Sequence, residues 1–357
     1  MHPVNLVAPI NQLGYGVVGY NVLKALLAAK HEVSYFPIGN PSWESDLAFA
    51  KAAMEQAKSF KAEAPSIRIW HQNDLAMFPG RGKRIGWPIF ELNKFTDVER
   101  NHLMSVDELF VCSQWAEAVL EAEGITPDVV TVVPLGVDTS VFFKNPAAVK
   151  HRAWWTKDKT IFINVGKWEV RKGHNELLEA FNAAFTPEDN VELWMLNDNP
   201  FIGKQNEEWK AKYLSSAMGG SIRIIPRVNS QKELADIFNA VDFGVFPAHA
   251  EGWNLEPLEL MACGVPSIVT DYSGHTEYCN ASNSFLVEPN GMEKAQDGVW
   301  FNGQGEWCTF EIDALVEKMR EAHKYKQNGQ TRLANGIDDT VAKYTWANTV
   351  KTIEEAL

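Results

Sequence analysis

The sequence predicts an α/β protein of two Rossmann-like domains, each with a parallel sheet. Three observations predict it. Short apolar runs alternate with amphipathic stretches along the whole chain, as expected for strands buried on both faces and the helices that cover them. The run that opens each half, Val4 to Ile10 and Thr160 to Val165, leads into a glycine-bearing loop and then a helix. Between the halves, Val130 to Phe142 reads VTVVPLGVDTSVF, an apolar strand followed by a Pro-Leu-Gly turn suited to a hinge. This places the domain boundary near Pro134 to Asp138, with domains at 1–135 and 138–338. A chain of 357 residues has room for both.

The elements follow in order. After VNLVAPI comes NQLGYGVVGYNVLKALLAAKH, in which Gly14, Gly16 and Gly19 fit GxGxxG ahead of an amphipathic helix from Val18 to Lys30. EVSYFPI is the second strand. A dinucleotide site needs an acid at the end of that strand for the ribose, and Phe36 to Gly39 holds none. The glycines therefore do not predict NAD binding. Asp46 to Lys61 reads as a helix. SIRIWHQND is a strand ending in His71, Asn73 and Asp74, which places polar groups at the edge of an α/β sheet where ligands bind. KRIGWPIFELNKF is the next strand and loop, carrying Glu91. DELFVCSQWAEAVLEAEGI is strand then helix, with Ser113 as a natural N-cap.

In the second half, TIFINVGKWEVRKGHNELLEAFNAAF gives a strand, a loop and a helix from Asn175 to Phe185. The loop holds Lys167, Arg171 and Lys172 between Gly166 and Gly173, and three cations in a glycine-bounded loop suit a diphosphate. Arg171, between the two lysines, can be solvated. VELWMLND is a strand. SIRIIPRVNSQKELADIFNAVDFGVFP is strand, helix and strand. SFLVEPNG precedes a loop with Trp300, Phe301 and Trp307, then a helix from Asp313 to Tyr325.

The most informative stretch is FPAHAEGWNLEPLELMACGVPSIVTDYSG, Phe246 to Gly274. A strand ends at GVFP, a loop holds Glu251, and an apolar helix runs from about Leu255 until Gly264 and Pro266 stop it. A loop-to-helix junction offers unpaired N–H groups and the positive end of a helix dipole, which suits phosphate. Glu251 and Glu259, eight positions apart, are then placed to accept hydrogen bonds from the hydroxyls of a sugar and a ribose.

Composition narrows the classes. The net charge of −13, from 46 acidic and 33 basic residues, argues against a broad polyanion-binding surface. The four cysteines are widely spaced, with no metal-ligand pattern and no CxxC pair, as in a reduced cytoplasmic protein. The N-terminus lacks the charged and apolar regions of a signal peptide, and no apolar run reaches the length needed to insert stably in a membrane.

The run EGWNLEPLELMACGVPSI resembles EGFGLxxLEAMACGxPVI, the E-x7-E signature of the retaining glycosyltransferases of family GT4, which have the GT-B fold of two facing Rossmann-like domains with an inter-domain cleft. The match spans about twenty positions, with Asn254 standing where the family usually has glycine. Further segments agree. Lys167 and Lys172 fall on the Arg and Lys of G-R-x-x-x-x-K-G, VVPLGVD matches the connection between domains, and Glu91 matches the Glu of a Y-T-x-F-E segment. The final helix, about 340–357, is similar to one that packs back onto the first domain.

The resemblance implies transfer of a sugar from a UDP- or GDP-linked donor to a hydroxyl acceptor, with retention and without a bound metal or cofactor. Glu251 and Lys172 would be catalytic. Gly16, Lys167, Arg171, Lys172, Arg227, Gly252, Trp253, Asn254, Leu255 and Glu259 would bind the donor. Gly14, His71 and Glu91 would lie on the acceptor side. The acceptor would be a glycan, a lipid-linked group or a small molecule.

Three other readings rank behind this one. They are a GT-B sugar-nucleotide isomerase or phosphorylase, an inactive nucleotide-sugar-binding protein, and a phage-type enzyme glycosylating a modified DNA base. A basic strip of Arg81, Lys83 and Arg84 keeps the last open.

Overall fold

In the computed structural model, residues 2–45, 47–127, 129–147 and 159–357 are described. The chain divides into two compact units, Met1–Asp138 with Tyr344–Leu357, and Thr139–Lys343. Each unit is built on a six-stranded sheet. As expected of GT-B, both sheets are wholly parallel and carry helices between most successive strands.

The first sheet uses β1 (Pro3–Ala8), β2 (Glu32–Pro37), β3 (Ser66–Ile69), β4 (Arg84–Trp87), β5 (Glu108–Val111) and β6 (Val129–Val132), in the order β2-β1-β3-β4-β5-β6. The order reverses between β1 and β3, which opens a crevice beyond their carboxyl ends. The first helix, Gly14–Ala28, starts four residues earlier than its periodicity suggests. The glycine pattern therefore forms the first turns of the helix rather than a loop. A Cβ on Gly16 would lie 2.4 Å from the backbone of Asn11, so the close approach this glycine permits is to the protein itself.

The expected helix at Asp46–Lys61 is Ala48–Gln56 followed by a 3-10 turn; Asp46 lies outside the described residues. Ser113 caps the helix Gln114–Ala122, its hydroxyl accepting from the Ala116 N–H at 3.2 Å. The helix Trp346–Ala356 belongs to the first unit, where Thr349 donates to the Pro134 carbonyl at 2.8 Å.

The second sheet uses β7 (Thr160–Gly166), β8 (Val191–Asn197), β9 (Ile222–Ile224), β10 (Phe243–Phe246), β11 (Ser267–Thr270) and β12 (Ser284–Val287), in the order β12-β11-β10-β7-β8-β9. Its reversal lies between β7 and β10, paired at Phe162–Phe243 and Ile163–Gly244. The two loops richest in candidate residues leave these two strands.

The predicted aromatic loop around Trp300 and Trp307 is instead an antiparallel hairpin, β13 (Gly291–Gln296) with β14 (Asn302–Thr309). Its turn closes on the Asp297 Oδ1, which accepts N–H bonds from Val299, Trp300 and Phe301 at 2.8, 2.8 and 2.9 Å. Trp307 is buried and stacks on His249 with ring centroids 5.5 Å apart. Among the described residues, no helix is long and apolar enough to cross a membrane.

Candidate functional site

The loop after β7 turns tightly. A 3-10 turn at Val170–Lys172 ends at Gly173, which has φ 69° and starts the helix His174–Ala184. A side chain at Gly173 would meet the Pro247 carbonyl oxygen at 1.9 Å, so glycine alone lets this loop lie against the one following β10. The His249 N–H donates to the Arg171 carbonyl at 2.8 Å and joins the two loops. His174 is buried, and burial lowers its pKa to about 4. The neutral ring contacts the Lys167 carbonyl through Nε2 at 2.9 Å and pins the start of the cationic loop.

These loops bring Glu251 against two cations. Lys172 Nζ lies 2.7 Å from one carboxylate oxygen and Arg171 Nη1 lies 2.8 Å from the other. Burial pushes the Glu251 carboxyl up, but Arg171 and Lys172 outweigh it and hold it well below the ordinary carboxylate range. Burial likewise lowers the Lys172 ammonium, and Glu251, Glu256 and Glu169 together more than restore it.

Arg171 is not solvated. It is 3% exposed and held by Glu251, by Glu169 at 3.0 Å and by the Ala250 carbonyl. Its place is beneath the site as a tether, which corrects the solvated reading. Lys167 is the outward member of the three, paired with Glu169 at 2.5 Å with over a third of its side chain exposed.

The helix Leu255–Ala262 begins directly beyond Glu251. Gly252, Trp253 and Asn254 are buried, and the Trp253 ring packs 4.9 Å from Tyr278. Trp253 is thus a core side chain. Asn254 has φ 71°, the left-handed conformation its glycine-like position demands.

Glu259 is buried, and among the described residues its carboxyl has no hydrogen bond or ion pair. Burial raises its pKa well above the usual value, and Glu256, one turn earlier, adds to the shift. Such a carboxyl awaits hydrogen-bond donors. Glu256 was not singled out in the sequence, although its spacing of three from Glu259 puts both on one helix face. Arg227 follows β9 and lies 3.9 Å from Asp198, which follows β8.

In the first unit the carboxyl ends of β1, β3 and β4 meet around Tyr15, a residue sequence reasoning passed over although it sits inside the glycine pattern. Its hydroxyl donates to the Ile89 carbonyl and accepts from the Ile89 N–H, both at 2.9 Å. His71 is exposed, with its ring 4.6 Å from that of Tyr15. Burial raises the Tyr15 pKa and the Glu91 charge adds to this, so His71 and Glu91 share one cluster. Gly14 is exposed at the start of the adjacent helix, with open space where a Cβ would stand.

The basic strip is not a free cationic surface, because Arg81 pairs with Glu63, Lys83 with Glu108 and Arg84 with Asp107. Among the described residues, no group of three His, Cys, Asp or Glu side chains could hold a metal.

Residues 150–300 match the family model of glycosyl transferases group 1. A D-inositol 3-phosphate glycosyltransferase of Stackebrandtia nassauensis is 25% identical over 244 residues, covering 66% of this chain and 50% of that protein. A GDP-mannose-dependent alpha-(1-6)-phosphatidylinositol dimannoside mannosyltransferase of Mycobacterium tuberculosis is 24% identical over 197 residues, covering 55% and 49%. The chain thus spans about half the length of these curated relatives.

Solved structures agree over the whole chain. A sucrose-phosphate synthase of Thermosynechococcus elongatus has a TM-score of 0.76 at 15% identity, covering 100% of this chain and 98% of that one. Anabaena HepE, solved in complex with UDP-glucose, has a TM-score of 0.75 at 13% identity, covering 100% and 99%.

Proposed function

We propose that the chain, which has the GT-B fold and matches the group 1 glycosyl transferases over residues 150–300, transfers a sugar from a UDP- or GDP-linked donor to a hydroxyl acceptor, with retention. The observation that carries this is the buried Lys172–Glu251–Arg171 cluster, set at the reversal of strand order in the unit that the family model matches.

The chemistry follows from charge. Glu251 stays ionised, so it has no proton to give the leaving group. It faces the reacting sugar as a fixed anion, stabilising positive charge as the glycosidic bond breaks. Lys172, and Lys167 at the outer edge of the loop, receive the departing diphosphate, where negative charge grows. The start of the helix Leu255–Ala262 adds backbone N–H groups from Leu255 onward. Glu259 accepts from the ribose, which would satisfy its carboxyl. Arg227 lies on the nucleoside side. No metal is assigned, because the cations that meet the diphosphate are side chains.

The acceptor approaches the first unit, where His71, Glu91 and Gly14 gather around Tyr15. Inositol phosphate and phosphatidylinositol mannoside acceptors, as in the names of the two relatives, support a polyol hydroxyl. The neutralised strip argues against the DNA-base reading.

The test is a thermal-shift screen of UDP, GDP and their sugars with and without EDTA, followed by donor turnover. A ligand at a hundred times its Kd stabilises by about 2.7 kcal/mol. Binding of UDP or GDP unaffected by EDTA is expected. Strict dependence on Mg²⁺ or Mn²⁺, or no response to any nucleotide, would overturn the reading.

A further inference from the structure

The loop bearing Glu251 is gripped by a second segment, Asp271–Tyr278, none of whose side chains was given a role in the sequence analysis. The Glu251 N–H donates to Ser273 Oγ at 2.8 Å, and the Gly274 N–H donates to the Glu251 carbonyl at 2.8 Å. The Tyr278 hydroxyl donates to the carbonyls of Trp253 and Asn254 at 3.3 and 2.5 Å. His275 Nδ1 lies 3.1 Å from the Thr270 carbonyl, and its Nε2 lies 3.0 Å from Asn254 Nδ2.

The orientation of that last contact is determined. Burial lowers the His275 pKa to about 4, so the ring is neutral and carries one proton. The Thr270 carbonyl can only accept, so the proton is on Nδ1 and Nε2 accepts from the Asn254 amide. Two non-glycine residues of this network, Asn254 at φ 71° and Ser273 at φ 56°, adopt the left-handed conformation. Such geometry persists only where the surroundings over-determine it, and it clusters at functional sites.

We propose that Ser273, His275 and Tyr278 are positioning residues that clamp the Glu251 loop, and that Asn254 is the loop's own half of the clamp. The proposal rests on Glu251 being the group at the reacting sugar. A carboxylate stabilising charge must be held within about 0.5 Å of its productive place. Arg171 and Lys172 fix the side-chain end of Glu251, and the clamp fixes its backbone. A glycine at position 254 would relieve the backbone but would lose the bond to His275. Asn254 is therefore more than a tolerated substitute.

The test compares Ser273→Ala, His275→Ala, His275→Gln and Asn254→Gly. The readouts are turnover of UDP-glucose and GDP-mannose, affinity for UDP and GDP, melting temperature, and amide hydrogen exchange over residues 251–254. Ser273→Ala, His275→Ala and Asn254→Gly are expected to lower kcat about tenfold or more, with nucleotide Kd within about twofold, since sub-ångström misplacement acts on the chemical step. Exchange over 251–254 rises in all three. His275→Gln restores an acceptor near the place of Nε2 and recovers most of kcat.

Wild-type kcat and exchange in Asn254→Gly or His275→Ala would overturn the clamp. So would parallel losses of kcat, nucleotide affinity and melting temperature that His275→Gln does not rescue. If the native protein turns over neither donor and binds neither nucleotide, the proposed function fails on its own, and the exchange measurement still decides the clamp.

Discussion

Replacing Lys172 with Met and Glu251 with Gln perturbs one 2.7 Å ion pair from its two ends, and the charge of the cluster predicts opposite effects on nucleoside diphosphate binding. Lys167, Glu169, Arg171, Lys172 and Glu251 together carry one net positive charge. Lys172→Met leaves the cluster neutral and removes a charge-assisted contact worth about 1.5–3 kcal/mol, roughly 10- to 150-fold in Kd. Glu251→Gln leaves two net positive charges and frees Lys172 from a competing carboxylate, so UDP or GDP should bind tighter by on the order of 1 kcal/mol, about fivefold. The same change removes the anion that meets developing positive charge, and kcat should fall about 10²- to 10³-fold. Tight product binding with poor turnover is the distinguishing pair of results.

Calorimetry with UDP, GDP, uridine and guanosine at fixed salt reads the first effect, and donor turnover reads the second. The nucleosides serve as controls, because neither substitution should change their affinity. Equal losses of nucleoside and diphosphate affinity in Lys172→Met would remove Lys172 from the phosphate site. A Glu251→Gln protein with near-normal kcat would refute the assignment of Glu251.

Glu259→Gln should raise the donor KM with kcat largely kept, because ribose contacts are alike in ground and transition states. Its raised pKa also makes ionised Glu259 destabilising, with stability full below the unfolded pKa and lost as pH rises. The ligand-free variant should therefore melt about 2–4 °C higher per kcal/mol recovered at pH 7.5, and a lower melting temperature would count against an unpaired carboxylate. His174 and His275 are both depressed to about 4, so the unfolded chain binds more protons between pH 6.5 and 4. Stability should fall with pH across that window by up to about 1.4 kcal/mol per unit for each histidine. His249, raised by Glu176 despite its burial, acts above that window, its contribution being full below about pH 6.5 and lost as pH rises, and melts showing constant stability from about pH 6.5 to 4.5 would contradict the assignment. Gly173→Ala must displace the Pro247 carbonyl and should destabilise by about 3 kcal/mol or more, read by melting; wild-type stability would refute that close approach.

Much of the fold was legible because strands buried on both faces must be apolar throughout, and the runs at β1 and β7 carry that mark without reference to anything distant. Ser113 was legible for a similar reason, since a cap bonds within its own turn. The elements that escaped have few buried residues. The helix Asp97–Leu103 buries only Leu103, and Gln205–Leu214 buries only Tyr213. A helix with one inward residue leaves no periodic trace. The capping box of Thr96 and Glu99 was the available signal for the first. The hairpin β13–β14 escaped because the first of its strands is exposed at every position except Ala295.

By itself the sequence determined the two α/β halves, the stretch that joins them, and the local runs EGWNLEPLE and KWEVRKG that hold Glu251 and Lys172. Each depends on neighbours along the chain, where spacing alone fixes which groups come together. Only the tertiary structure decided that Arg171 turns inward while Lys167 turns outward, that Trp253 is core, and that Asp271–Tyr278 closes on the loop of Glu251. Those outcomes depend on burial and on hydrogen bonds between residues far apart in sequence. Lys172 meets Glu251 across 79 steps of chain, and Glu251 meets Ser273 across 22. A cation in a glycine-bounded loop looks the same in sequence whether it faces a ligand or a carboxylate. The packing of β10 beside β7 settles which, because it brings Glu251 against Arg171 and Lys172.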